Sequence, residues 1–267
     1  MEGWERPVAV FDSGLGGISV LNALLRIMPN ENYIYFGDSK HAPYGTKTHE
    51  VVQQMTLEHV ERLVEKGAKS VTVACNTATC AAIDALRRKY PQIPMIGIEP
   101  ALKPAVMDQK GSTVVVMATA MTLSEPRFKR LMEQYQKEST ILPLPCSGLV
   151  EHVEVGDFDS EEVKQLLRNL FAPLAGYSID AVVLGCTHFP FLSNAIRDVL
   201  GAHVKLFDGA GGTARETRHK LELNGHLTRH EGKGSITFLN SRMDEALRCS
   251  VEHMLVNPGL QIYYGKE

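Results

Sequence analysis

The sequence predicts an α/β protein built on parallel sheets. Three observations carry this: short β-branched apolar runs, helical periodicity between most of them, and a strand–cysteine–helix pattern that occurs twice. Buried parallel strands read as continuous apolar runs, and strands that alternate with helices imply βαβ units. The runs fall at 8–11, 33–36, 71–74, 95–98, 113–117, 141–144, 181–185 and 204–207, with weaker ones at 236–239 and 261–264. The clearest helix is 50–66, where Val51, Val52, Met55, Val60, Leu63 and Val64 recur on one side and Gly67 supplies a stop.

The repeat is specific. Val71-Thr72-Val73-Ala74-Cys75-Asn76-Thr77 is echoed 111 residues later by Val182-Val183-Leu184-Gly185-Cys186-Thr187-His188. In each, an apolar run ends in a small residue, a cysteine and two hydrogen-bonding side chains. A helix-compatible stretch follows, at 78–90 and at 190–200. Ligands in open α/β sheets sit beyond the carboxyl ends of the strands, so the pattern places two thiols at equivalent positions of two similar units. Two matched thiols facing one cleft suit removal of a proton from one face of a carbon and its return to the other. The expected first unit spans 1–99 and the second 100–206, with 207–267 as a tail that the pattern alone does not assign.

Composition excludes several classes. Hydrophobic residues make up 44% and charged residues 22%, and the net charge is −3; these are ordinary values for a globular chain. The longest like-charge run, Arg87-Arg88-Lys89, reads as a solvated helix end rather than a nucleic-acid patch. Five cysteines without a dense spacing pattern argue against a disulfide framework and for a reducing cytoplasm. Glu2 and Glu5 precede the first apolar run, which is not the pattern of a signal peptide. No apolar stretch reaches membrane-spanning length. Cys80, Cys146 and Cys249 read as structural.

The remaining motifs leave alternatives open. Asp12-Ser13-Gly14-Leu15-Gly16-Gly17-Ile18-Ser19 is a glycine-rich turn at a helix start, where backbone N–H groups can hold an anion. It nearly matches a dinucleotide fingerprint, with Asp38 where a ribose-binding acid would stand, but Ser19 takes the third glycine position. A substrate carboxylate could use the same donors. The loop Gly37-Asp38-Ser39-Lys40-His41-Ala42-Pro43-Tyr44-Gly45 lies at the sheet's active edge. His188 beside Cys186 suggests a cysteine–histidine pair, and Glu154 offers a carboxylate before a turn at 157–160. No CxxC spacing indicates a metal, and no lysine stands out as a Schiff-base partner for pyridoxal phosphate. A thiol redox enzyme and a non-catalytic binding module remain rivals.

Taken together, these motifs closely resemble those of the glutamate racemases, cofactor-independent enzymes that supply D-glutamate for peptidoglycan. The segments that carry the resemblance are Asp12-Ser13-Gly14-Leu15-Gly16-Gly17, Gly37-Asp38, Pro43-Tyr44-Gly45, Ala74-Cys75-Asn76-Thr77-Ala78-Thr79, Val153-Glu154 and Leu184-Gly185-Cys186-Thr187-His188-Phe189-Pro190. The related aspartate racemases, the alternative reading, typically have glutamate where this chain has His188. The resemblance implies two flavodoxin-like parallel-sheet domains related by pseudo-twofold symmetry, with the active site between them and the tail returned to the first. It implies Cys75 and Cys186 as the two bases, assisted by Asp12, Glu154 and His188. It also implies substrate contacts from Asp12, Ser13, Tyr44, Gly45, Asn76, Thr77, Thr187 and His188. No cofactor and no metal are expected. The implied partners are small-molecule glutamate and a second copy in a homodimer, without nucleic acid or membrane. In the family pattern Gly-Thr-x-x-Thr-x-x-Ser-x-x-Tyr, this chain has Ala118, Thr119, Thr122, Glu125 and Phe128. Phe189 likewise replaces the commoner tyrosine.

Overall fold

The structure is a computed structural model that describes residues 2–256 and 259–267. Among the described residues, ten strands form two parallel sheets. They are β1 (Val8–Asp12), β2 (Tyr33–Gly37), β3 (Ser70–Val73), β4 (Met95–Gly97), β5 (Thr113–Ala118), β6 (Thr140–Pro145), β7 (Ala181–Leu184), β8 (Lys205–Asp208), β9 (Ser235–Asn240) and β10 (Gln261–Lys266). The six-stranded sheet has the order β10-β9-β2-β1-β3-β4 and the four-stranded sheet the order β6-β5-β7-β8. All five residues of β1 and all four of β7 are buried, as the unbroken apolar runs require. Pro143 and Pro145 lie in β6, an edge strand where a missing N–H disrupts no central ladder.

Both sheets reverse their winding at their first strand. β2 lies on one side of β1 and β3 on the other, while β6 and β7 flank β5 in the same way. The crevice outside the carboxyl ends at such a reversal is the standard ligand position in open sheets. Asp12 and Cys75 occupy it in the first sheet, and Thr119 and Cys186 in the second. The weak runs of the tail form β9 and β10, and β9 pairs with β2 from Tyr33↔Ile236 to Gly37↔Asn240. β8 extends through Asp208, two residues past the expected limit of the second unit, because Leu184 pairs with Asp208.

The helix expected at 50–66 is His49–Glu65, capped by Thr48, whose hydroxyl accepts the Val51 N–H. Gly67 ends it at φ +89°. One expected core position is wrong: Val51 is exposed, and Thr56 and His59 are buried with Val52, Val60 and Leu63. A helix at Glu245–Met254 lies between β9 and β10 of the tail. The helices after the two cysteines differ. Asn76–Lys89 begins directly after Cys75, whereas Cys186 is followed by a short 3-10 turn, Phe189–Leu192, before Ser193–Leu200. One apolar core, from Val8 and Ile18 through Val115, Val182 and Phe189 to Val251, runs continuously across both sheets.

Candidate active site

Strand ends bring the site together. β1 delivers Asp12, the turn after β3 delivers Cys75, the turn after β7 delivers Cys186 and His188, and helix Leu149–Glu154 ends in Glu154. Cys75 is 5% and Cys186 8% exposed, so both thiols lie in a nearly closed interior. Cys75 caps its helix, and its Sγ accepts the Ala78 N–H at 3.4 Å. Burial, with the Asp12 carboxylate next and the charge of Cys186 in addition, pushes the Cys75 thiol up to about 12, against weaker help from Ser13 and Ala78.

The other thiol has different company. His188 Nδ1 stands 3.6 Å from Cys186 Sγ, and His188 Nε2 donates to Glu154 Oε1 at 2.7 Å. Burial alone would lower the imidazole, but hydrogen bonds and charges from Cys186 and Glu154 raise it well above its ordinary value. Burial would likewise raise Glu154, yet His188, the Leu15 N–H and the Ser39 hydroxyl hold its carboxyl below the usual range. The pair is therefore imidazolium and carboxylate. Asp12 is raised by burial, partly offset by His188. Its Oδ2 accepts the Thr187 hydroxyl at 3.1 Å, a direct link between the two halves.

The glycine turn works differently from its expected use. Its Leu15 N–H donates to Glu154 and its Gly14 N–H to Asp12, so these donors already hold the protein's own carboxylates. The glycines are required by close approach. A Cβ on Gly14 would overlap Glu154 Oε1, and one on Gly16 would overlap His188 Nδ1. Asp38 is fully buried and accepts from Tyr44 Oη at 2.7 Å, His59 Nε2 at 3.1 Å and His41 Nδ1 at 2.8 Å. This leaves it committed to the loop rather than to a ribose, which removes the dinucleotide reading.

The other expected contact residues surround the thiols. Ser13 lies next to Cys75, and the ring of Tyr44 packs on Phe11. Gly45 abuts Thr119, whose Cβ leaves no room for a larger residue. Asn76 is buried with an Oδ1 that has no hydrogen-bond partner. The Thr77 hydroxyl meets Thr119 and Thr122 at 3.0 and 3.1 Å, again across the halves. Glu125 turns to His49 of the first half, at 2.8 Å, and Phe128 is buried in the second core. Ser39, His59 and Asn240 also belong to the network and were missed in the sequence. The hydroxyl of Ser39 in the Asp38 loop was the available signal; Asn240 gave none. No group of three or more His, Cys, Asp and Glu among the described residues is arranged to hold a metal. No helix among them is long and apolar enough to cross a membrane.

Comparison with known proteins shows the family of the chain. Residues 16–217 match the family model for Asp/Glu/Hydantoin racemase. A glutamate racemase of Clostridium perfringens is 48% identical over 241 residues, covering 90% of this chain and 93% of that protein. The crystal structure of a glutamate racemase isoform from Bacillus anthracis superposes with a TM-score of 0.86 at 30% identity, covering 98% of this chain and 97% of that one. A Francisella tularensis glutamate racemase in complex with D-glutamate gives 0.84 at 27% identity, with 98% and 97% covered. The paired strand tips, the match over most of the chain and the shared architecture make this chain a member of the Asp/Glu/hydantoin racemase family, within its glutamate racemase branch.

Proposed function

We propose that the chain interconverts L- and D-glutamate by two-base proton transfer at the α-carbon, with Cys75 and Cys186 as the bases and no cofactor. The carrying observation is the pair of buried thiols at equivalent reversals of two facing sheets. An α-proton is a very weak acid, so a closed site that excludes water and presents fixed donors to the developing charge supports the reaction. Cys75, with its thiol pushed up to about 12, holds a proton at neutral pH and serves as the acid on its face. Cys186, with the His188 imidazolium alongside, takes the α-proton of L-glutamate. Cys75 then returns its own proton to the opposite face, leaving D-glutamate, a Cys75 thiolate and a protonated Cys186. The D-to-L direction runs the same steps in reverse.

In this reading Asn76, Thr77, Thr187 and the N–H groups at the start of helix Asn76–Lys89 bind the amino acid's polar end. The orphaned Asn76 Oδ1 is a buried acceptor of the kind an ammonium group satisfies. In the cell this activity supplies D-glutamate for peptidoglycan, in the cytoplasm and as a homodimer. Sedimentation of the purified protein across a concentration series checks the dimer. The activity test is incubation of dialysed, chelator-treated protein with L-glutamate in D₂O, following optical activity and the α-proton signal. Loss of both signals together, without added pyridoxal phosphate, supports the reading. Retention of the α-proton, or activity only with L-aspartate, defeats it.

A further inference from the structure

We propose that Asn240, on β9 of the C-terminal tail, is a positioning residue for the Cys186 half of the site, acting through Ser39. The inference rests on the racemase reading above and concerns a chain of hydrogen bonds that the two-thiol mechanism does not itself require. Asn240 is fully buried, and its Oδ1 accepts the Arg242 N–H at 2.8 Å. That contact fixes the amide orientation and leaves Nδ2 to donate to Ser39 Oγ at 3.0 Å. With its oxygen thus accepting, Ser39 directs its own proton to Glu154 Oε2 at 2.8 Å. Glu154 Oε1 accepts from His188 Nε2, whose Nδ1 faces Cys186 Sγ. The donors converge on Glu154, with Asn240 and Ser39 on one side and His188 on the other, so the serine donor helps hold the carboxylate that pairs with His188.

The chain also joins three separate pieces of the molecule. Asn240 closes β9, Ser39 sits in the loop after β2, and Glu154 comes from the second half. The β2–β9 pairing aligns Gly37 with Asn240, and a Cβ at Gly37 would meet Asn240 Nδ2 at 2.8 Å. Glycine at position 37 leaves room for the Gly14 carbonyl and for this amide, and the tail strand reaches His188 through Ser39 and Glu154. Among the described residues, Cys75 Sγ has the Ala78 N–H and the Ser13 side chain as its hydrogen-bond company. The other titratable groups facing the Glu154–His188 pair are Asp12 from β1, Tyr35 from β2 and Cys186 itself.

The test compares Ser39→Ala, Ser39→Thr and Asn240→Leu with the wild-type chain, with folding checked by circular dichroism and melting. Losing the serine donor makes the Glu154 carboxylate harder to keep ionised. The acid limb of kcat/KM therefore moves up by about one pH unit and kcat falls about tenfold, with KM changed less. The ¹³C carboxyl signal of Glu154, which reads the site without turnover, shifts its titration midpoint in the same direction. Asn240→Leu gives a smaller shift of the same sign, and Ser39→Thr recovers most of the loss. A folded Ser39→Ala with unchanged acid limb and unchanged Glu154 midpoint overturns the inference, whatever happens to kcat. Should Asn240→Leu fail to fold, the serine pair still decides between them. Racemisation by the wild-type chain is scored in the same series, so failure of the racemase reading is seen separately.

Discussion

The two cysteine-bearing strand tips are near copies in sequence and opposites in electrostatics. Cys75 faces the buried carboxylate of Asp12 and receives only a helix-capping N–H and Ser13 as counterweights. Cys186 faces an imidazolium held by the Glu154 carboxylate, which in turn accepts from Ser39 with Asn240 behind it. Their backbones differ as well, an immediate α-helix after Cys75 and a 3-10 turn after Cys186. The lesson is that equivalent position does not give equivalent chemistry. A two-base reaction needs one thiol charged and one protonated at any moment, so unlike surroundings serve it better than identical ones.

The largest test of this difference is removal of either sulfur. Cys75→Ser and Cys186→Ser should each lower racemisation by at least about a thousandfold, since a serine hydroxyl is a far weaker base. L- and D-glutamate have equal free energies, so kcat/KM must fall equally in both directions and cannot reveal the asymmetry. A half-reaction can. With a glutamate analogue carrying a leaving group at carbon 3, α-proton removal expels that group, and the resulting enamine hydrolyses to a keto acid and ammonium. Cys75→Ser should release keto acid from the L-form and Cys186→Ser from the D-form. Equal release from both enantiomers by both variants would break the two-base assignment.

His188→Asn comes next, with a kcat loss of about a hundredfold and a larger loss of elimination from the L-analogue than from the D-analogue. The same ion pair predicts a pH window of stability. Raised His188 stabilises the fold fully below its ordinary 6.5, and the contribution is lost as pH rises through the folded value. Lowered Glu154 contributes above its ordinary 4.5, and that contribution is lost as pH falls through the folded value. The melting temperature of wild type should therefore exceed that of Glu154→Gln most between pH 4.5 and 6.5. The stability difference there is about 2 kcal/mol. A gap that is flat from pH 4 to 9 would count against the charged pair.

Gly16→Ala should cost less, about tenfold in kcat and about 1–2 kcal/mol in stability, because its Cβ collides with His188 and Thr187. Elimination from the D-analogue, which relies on Cys75, should suffer less than elimination from the L-analogue. The smallest effect is expected for Glu125→Ser, which restores the residue of the resembled pattern. It removes the contact to His49, whose side chain is 41% exposed, so the stability change stays below about 1 kcal/mol. Its kcat should remain within about twofold of wild type, as measured by the same optical assay.

Much of this architecture was legible in the chain. Strands such as β1 and β7 announce themselves because a strand buried on both faces has no use for polar residues. Cys75, Cys186 and Asp12 were legible because each follows such a run directly, and His188 because it lies two residues past Cys186, where open sheets bind ligands. Val51 was misassigned and His59 missed because helical periodicity gives a face only to within about one position, and here Asp38 draws His59 inward. The glycine turn was read as a cradle for a ligand's anion, and its N–H groups instead hold the protein's own carboxylates. That its anion is Glu154, 139 residues away, no local pattern could state.

The sequence by itself determined two parallel-sheet units, the placement of a thiol at the tip of each and the glycines that let them meet. Short-range chemistry is enough for that, since burial on both faces, turn geometry and helix starts are all written within a few residues. Only the tertiary structure decided which thiol faces a carboxylate and which a cation, because those neighbours arrive from distant segments. It alone brought Asn240 behind Ser39 and Thr119 against Gly45. Electrostatics in a buried site depends on separations of a few ångströms in space, and separation along the chain does not encode them.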